Sequence, residues 1–127
     1  MSEELRRFWA ERLLSTLTTL RGDGSPHVVP VCVMVEEDLT VARVICSRGS
    51  AKARNVRAAG EGGARAAVCQ VDGRRWSTLE GVAVVREDPE SVRDAEARYT
   101  ARYGKPPRPN PQRVVIEITV DRRLGLS

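Results

Sequence analysis

Four cations, Arg48, Lys52, Arg54 and Arg57, crowd the segment SRGSAKARNVR that runs from Ser47 to Arg57. The segment reads as a helix start. Ser50 is a good cap, and an Ala/Asn/Val body follows it. The first turn of a helix carries unpaired N–H groups and the positive end of the dipole, so cations are disfavoured there. Crowding them at that place makes physical sense if an anion sits among them, and a phosphate is the natural occupant. The other reading is a basic helix face with Arg54 and Arg57 turned to water. Spacing alone leaves both open.

Few other residues carry chemistry. His27 is the single histidine, which excludes a His-rich metal site, and no nucleophilic triad presents itself. A lone histidine at a strand start is a titratable group or a structural one. Cys32, Cys46 and Cys69 lie far apart, form no CxxC and sit in apolar, strand-like runs. Such thiols behave as small buried hydrophobes and point to a reducing cytoplasm. Trp76 follows an Asp-Gly turn and is either a core aromatic or the wall of a pocket for a flat ring.

The 127 residues suggest one domain, 1–127, able to bury roughly two-thirds of its unfolded surface. Net charge is +4, and only Lys52 and Lys105 among the 21 basic residues are lysines. A basic balance suits anionic ligands. Nucleic acid is disfavoured, because aromatics for base stacking make up only 4% and the arginines are spread along the chain. The longest apolar run, Val28 to Val35, is far short of the ~20 residues of a membrane span. The start, MSEELRR, lacks the apolar core of a signal peptide.

These residues need a scaffold. Ser2 caps a short amphipathic helix in which Leu5, Phe8 and Trp9 share a face. LSTLTTL alternates as a strand, with Leu14, Thr16, Thr18 and Leu20 against Ser15, Leu17 and Thr19. RGDGSP is a turn. HVVPVCVMV reads as one strand buried on both faces, at an edge or bulged at Pro30, where the ladder loses a donor. TVARVICS is a third strand, followed by the Ser50-capped helix to about Ala59. ARAAVCQV and WSTLEGVAVVRE form a hairpin across the Asp-Gly turn. Asp88-Pro89 starts a helix that presents Val92, Glu96, Tyr99 and Tyr103 on one face and ends at Gly104. After a Pro-rich connector, RVVIEITV is a last strand with Val114, Ile116, Ile118 and Val120 on one side. Six short, mostly antiparallel strands with helical plugs make a mainly β fold, a small barrel.

The segments LTTLRGDGSPHVVPV, SRGSAKARN and GRRWSTLEGVAVV together resemble the flavin-binding split β-barrel family, whose best-known member is pyridoxamine 5'-phosphate oxidase. QVDGRRWSTLEG, VRDAEARYTARY and RPNPQRVVIEI look closer to its deazaflavin (coenzyme F420)-dependent reductases, and among those to the biliverdin-reducing group. The resemblance spans about Leu13 to Leu124. It implies a six-stranded antiparallel split β-barrel with short flanking helices, acting as a homodimer with cofactor in a groove at the subunit interface.

By the same resemblance, Ser50, Ala51 and Lys52 hold the cofactor phosphate, and Asn55 completes a Lys-x-x-Asn pattern. His27, Val28, Val29, Pro30 and Val31 lie along the ring system. Ile45, Cys46 and Ser47 line the ribityl and phosphate side, and Trp76 contacts the ring. Arg48 is not carried over. Pro30, Cys32 and the stretch GEGGARAAV depart from the pattern and bear on the substrate more than on the cofactor. The implied activity is hydride transfer from the C5 of reduced coenzyme F420 to biliverdin or a similar conjugated substrate. Arg74, Arg75, Arg108 and Arg113 are candidates for its carboxylates. Two alternatives stay open: an FMN-dependent oxidase or reductase of the same fold, and a binder of deazaflavin or flavin that turns nothing over.

Overall fold

The computed structural model describes residues 2–126. Helix α1 (Glu3–Ala10) is capped by Ser2, whose hydroxyl accepts the Leu5 N–H. Seven strands follow: β1 (Ser15–Leu20), β2 (Pro26–Val31), β3 (Val33–Val35), β4 (Val41–Ser47), β5 (Ala64–Asp72), β6 (Arg75–Arg86) and β7 (Arg113–Gly125). Helix α2 (Ala51–Ala58) lies between β4 and β5, and α3 (Pro89–Tyr103) between β6 and β7. The caps foreseen from the sequence are in place. Ser50 accepts the Ala53 N–H, Asp88 accepts the Ser91 N–H, and Gly104 closes α3 in the left-handed region at φ 81°.

The strands form one antiparallel sheet in the order β2-β1-β5-β6-β7-β4-β3. Its two edge strands, β2 and β3, are consecutive in the chain, with Cys32 alone between them. A flat seven-stranded sheet holds its edges far apart, so the single-residue link forces this sheet to curl until the edges meet. The result is a split barrel: β2 pairs with β1, β3 pairs with β4, and the backbone passes from one edge to the other at Cys32.

Two expectations are corrected here. The strand count is seven rather than six, because HVVPVCVMV changes partners at Cys32 and becomes two strands. That run is also not buried on both faces. His27, Val29 and Val31 face inward, whereas Val28 is 55% exposed and Pro30 is exposed as well. Apolar content by itself does not report which face of a strand the fold buries. Pro30 does lie on an edge strand, as its missing donor requires. The last strand runs five residues past Val120, and its polar end, Asp121 to Gly125, is held by pairing with β6 rather than by apolar alternation.

The inward faces and two helices fill the barrel. Leu17, Val44, Val68, Leu79, Ile116 and Ile118 meet in the middle. Helix α1 plugs one mouth: Phe8 and Trp9 are buried, Trp9 Nε1 donates to Ser77 Oγ at 2.9 Å, and Gln70 Nε2 donates to the Phe8 carbonyl at 2.7 Å. Helix α2 seats Ala53 and Val56 at the other mouth. Helix α3 lies outside, covering Met34 and Val115 with Ala95, Val92 and its two tyrosines. Burial pushes the Tyr103 hydroxyl up to about 12, and it donates to the Val33 carbonyl just past the chain's edge crossing.

The wall bends sharply at a register shift between Glu80 and Gly81. A Cβ at Gly81 would lie 1.9 Å from the Thr119 carbonyl oxygen, so only glycine lets β6 and β7 approach there. Gly81→Ala should cost about 1–3 kcal/mol as the two strands are forced apart, read as a lower urea midpoint at unchanged slope.

Candidate cofactor site

The α2 end of the barrel gathers the loop after β4, the start of β7 and the end of β6. Ser47 Oγ accepts the Asn110 side-chain N–H at 2.9 Å, and the Arg48 N–H donates to the Gln112 carbonyl at 2.8 Å. The Ser50 N–H donates to the Ser47 carbonyl at 3.0 Å, which closes the turn into the helix. Asn110 and Gln112 were invisible to the sequence reading, since they lie more than sixty positions from the loop they hold and follow no local pattern.

The structure sorts the four cations. Arg48 Nε pairs with Glu87 at 2.8 Å, and its Nη1 donates to Gln112 Oε1 at 3.1 Å. Arg54 Nη1 donates to the Gly49 carbonyl at 2.9 Å, and Arg57 Nη2 donates to the Arg48 carbonyl. The Lys52 side chain forms no hydrogen bond or ion pair among the described residues. Arg54 and Arg57 therefore do not simply point to water; they brace the loop. Arg48, whose only claim on an anion was charge and proximity, is held by a carboxylate. Lys52 is the cation left for a ligand, beside a helix start with no acidic residue in its first turn.

Cys46 lies directly before the loop, half-buried against the core. Burial pushes its thiol pKa up, and Ser50 together with the charges of Lys52 and Arg57 offsets part of that rise. Its neighbour Ile45 turns to the other face of β4 and packs under α3, so only its backbone can line the site. Asn55 Nδ2 donates to the buried Thr19 Oγ1 at 3.0 Å and ties α2 to β1. Thr19 pairs with His27, which brings His27 to the same mouth, and His27 Nδ1 is buried without a hydrogen-bond partner. Thr19, a strand residue by its sequence pattern, thus links two site candidates.

The remaining candidates face elsewhere. Val28, Pro30 and Trp76 lie on the outer face of β2-β1-β5-β6, with Leu20 and Val71 also exposed there. Trp76 is 45% exposed and opens β6, while Arg48 meets Glu87 just past the other end of β6. About 30 Å of strand separates them. Within one chain the structure does not bring Trp76 to Lys52. Of the arginines considered for carboxylate recognition, Arg75 is taken by Glu11 and Asp72, and Arg113 by Glu96 and the Arg108 carbonyl. The side chains of Arg74 and Arg108 form no pair among the described residues. No group of three or more His, Cys, Asp or Glu among the described residues is placed to hold a metal, and no helix is long and apolar enough to cross a membrane.

A family model for pyridoxamine 5'-phosphate oxidase matches residues 1–126. The chain belongs to that family. It is 50% identical over 125 residues to the F420H2-dependent biliverdin reductase of Mycobacterium tuberculosis, covering 98% of this chain and 88% of that one. Among solved structures it is similar to a conserved hypothetical protein of Mycobacterium tuberculosis, with TM-score 0.81, 26% identity and coverage of 98% and 84%. It also superposes on a protein described as an F420 reductase, with TM-score 0.77, 20% identity and 98% of both chains covered; at that identity the likeness concerns the fold.

The residues at α2 fit a phosphate-bearing cofactor. The helix start offers unpaired N–H groups with no acidic residue in its first turn, and Lys52 forms no ion pair among the described residues. Thr19→Val, which removes the acceptor from Asn55 while keeping the shape, should cost about 1–2 kcal/mol in denaturant unfolding. In a Cys32→Ser/Cys69→Ser background, the rate of Cys46 alkylation should rise with pH to a midpoint above that of a free cysteine; a midpoint at or below it would contradict the burial of this thiol.

Proposed function

We propose that this chain is a cytoplasmic F420H2-dependent oxidoreductase that binds coenzyme F420 at the α2 mouth and reduces biliverdin or a similar conjugated substrate. The observation that carries the reading is half-identity, over nearly the whole chain, to an enzyme named for that activity. The α2 geometry supports the cofactor half of it. The three free cysteines, each partly buried, agree with a reducing compartment.

Reduced coenzyme F420, when bound, supplies a hydride from C5 of its deazaflavin ring, and the protein supplies orientation and charge. Ser50, Ala51 and Lys52 hold the phosphate, through the helix-start N–H groups and the Lys52 ammonium. Ser47 and Cys46 form the wall before it. His27 and Asn55, joined through Thr19, fix the β1–β2 end against α2. The strand His27–Val31 offers its backbone and the outer side chains Val28 and Pro30 to a flat ring.

The chain acts as one split-barrel domain within a homodimer. Its outer β2-β1-β5-β6 face leaves Leu20, Val28, Val71 and Trp76 bare in a single chain. Because Trp76 lies at the far end of the barrel from Lys52, the Trp76 that meets a bound ring comes from the second copy.

Lys52→Ala should weaken coenzyme binding by about 1.5–3 kcal/mol, the scale of a hydrogen bond to a charged group. Unchanged affinity in a fluorescence titration would refute the phosphate role. The activity itself is tested by mixing the protein with reduced coenzyme F420 and biliverdin. The bilin absorbance should shift to that of bilirubin while oxidised deazaflavin accumulates. A yellow protein that holds FMN more tightly than coenzyme F420 would instead establish the flavin reading.

The shared site has its own test. If Lys52→Ala and Trp76→Ala are each inactive, randomly mixed dimers should regain roughly a quarter of wild-type activity, because half are mixed and each mixed dimer has one intact site of two. No recovery would place both residues in a site built from one chain.

A further inference from the structure

Arg57 stands near the end of α2, yet its side chain reaches back to the loop that opens the helix. Its Nη2 donates to the Arg48 carbonyl, and its Nη1 is buried without a partner. No carboxylate pairs with it among the described residues. A partly buried guanidinium with an unmet donor is costly, and an aliphatic side chain of similar length would fill the same space without that cost. The bond to the Arg48 carbonyl is the one contact that requires an arginine here, and it leaves the second donor unmet.

The loop geometry shows what that bond does. A trans peptide points its carbonyl and its N–H in opposite directions. Drawing the Arg48 carbonyl to Arg57 turns the Gly49 N–H away from Arg57. The Gly49 N–H takes no part in a hydrogen bond among the described residues. The peptides on either side are also fixed. The Arg48 N–H is held by the Gln112 carbonyl, and the Gly49 carbonyl by Arg54, while the Ser50 N–H returns to Ser47. The peptide that Arg57 holds is thus the one in the loop whose N–H remains to be given to a ligand. Arg57 also sets a positive charge behind the helix start, close enough to act on Cys46 beside Lys52.

We propose that Arg57 is a positioning residue of the anion-binding loop: it pins the Arg48–Gly49 peptide so that the Gly49 N–H joins the donors of the α2 start, and it adds charge there without touching the anion. This rests on the phosphate site proposed above.

The test separates the phosphate from the ring. Fluorescence titrations compare coenzyme F420 with its deazaflavin-ribitol precursor, which lacks the phosphate and tail, for the native chain, Lys52→Ala, Arg57→Met and Arg57→Lys. Arg57→Met should lower affinity for the coenzyme about tenfold, the worth of one charge-assisted contact, and leave affinity for the precursor unchanged. Arg57→Lys, which keeps the charge and one donor, should recover most of the loss. A merely structural arginine would weaken both ligands alike or neither, and either result overturns the proposal. If Lys52→Ala lowers the coenzyme-to-precursor ratio and Arg57→Met does not, the phosphate site stands and the role of Arg57 falls. If the native chain binds both ligands equally, the phosphate site falls and takes this inference with it. Should Arg57→Met not fold by circular dichroism, Arg57→Gln removes the charge under the same comparison, and an unchanged ratio there is equally fatal.

Discussion

A single residue, Cys32, separates the two edge strands of a seven-stranded sheet. That link is the constraint on which the rest depends. It compels the sheet to roll, and rolling creates an inside, two mouths and an outer wall. The inside accounts for the alternation of Leu17, Val68, Leu79 and Ile116. The mouths account for α1 and α2, whose buried residues close the two open ends of the rolled sheet. The bend at Gly81, where a Cβ would strike the Thr119 carbonyl, is the local concession that lets two long strands follow the curve.

The candidate site is a by-product of how one mouth is closed. Helix α2 buries Ala53 and Val56, and in doing so sets its start against the ends of β4 and β7. Arg54 and Arg57 donate to the Gly49 and Arg48 carbonyls of the loop, and Arg48 is paired with Glu87. What remains at the opening is a set of N–H groups and one ammonium, that of Lys52. The crowding of cations against the helix dipole resolves into two groups: three arginines are held by the loop and its neighbours, and Lys52 is left without a side-chain partner among the described residues.

Much of this was legible in the chain itself. Ser50 and Asp88 announced their helices because capping is a local interaction between a side chain and N–H groups three residues on. The Asp-Gly hairpin, the end of α3 at Gly104 and the edge or bulge at Pro30 were readable for the same reason: backbone geometry and missing donors act on neighbours. The charge crowded around Ser50-Ala51-Lys52 was legible too, although spacing alone left open whether it met an anion or water. The partner change at Cys32 was not, because an unbroken apolar run looks alike whether it pairs with one neighbour or hands over between two.

The sequence by itself determined the mainly β character, the helix starts, the charge around α2 and, through 50% identity to a reductase, the family. Tertiary structure alone decided which cations are free, because Glu87, Gln112 and the loop carbonyls that claim the arginines are neighbours only after the sheet has curled. It also decided that Trp76 and Lys52 stand at opposite ends of one barrel. Strand length and register set that separation, and neither can be read from residue types, which report what a side chain can bind and not what the folded chain brings to it.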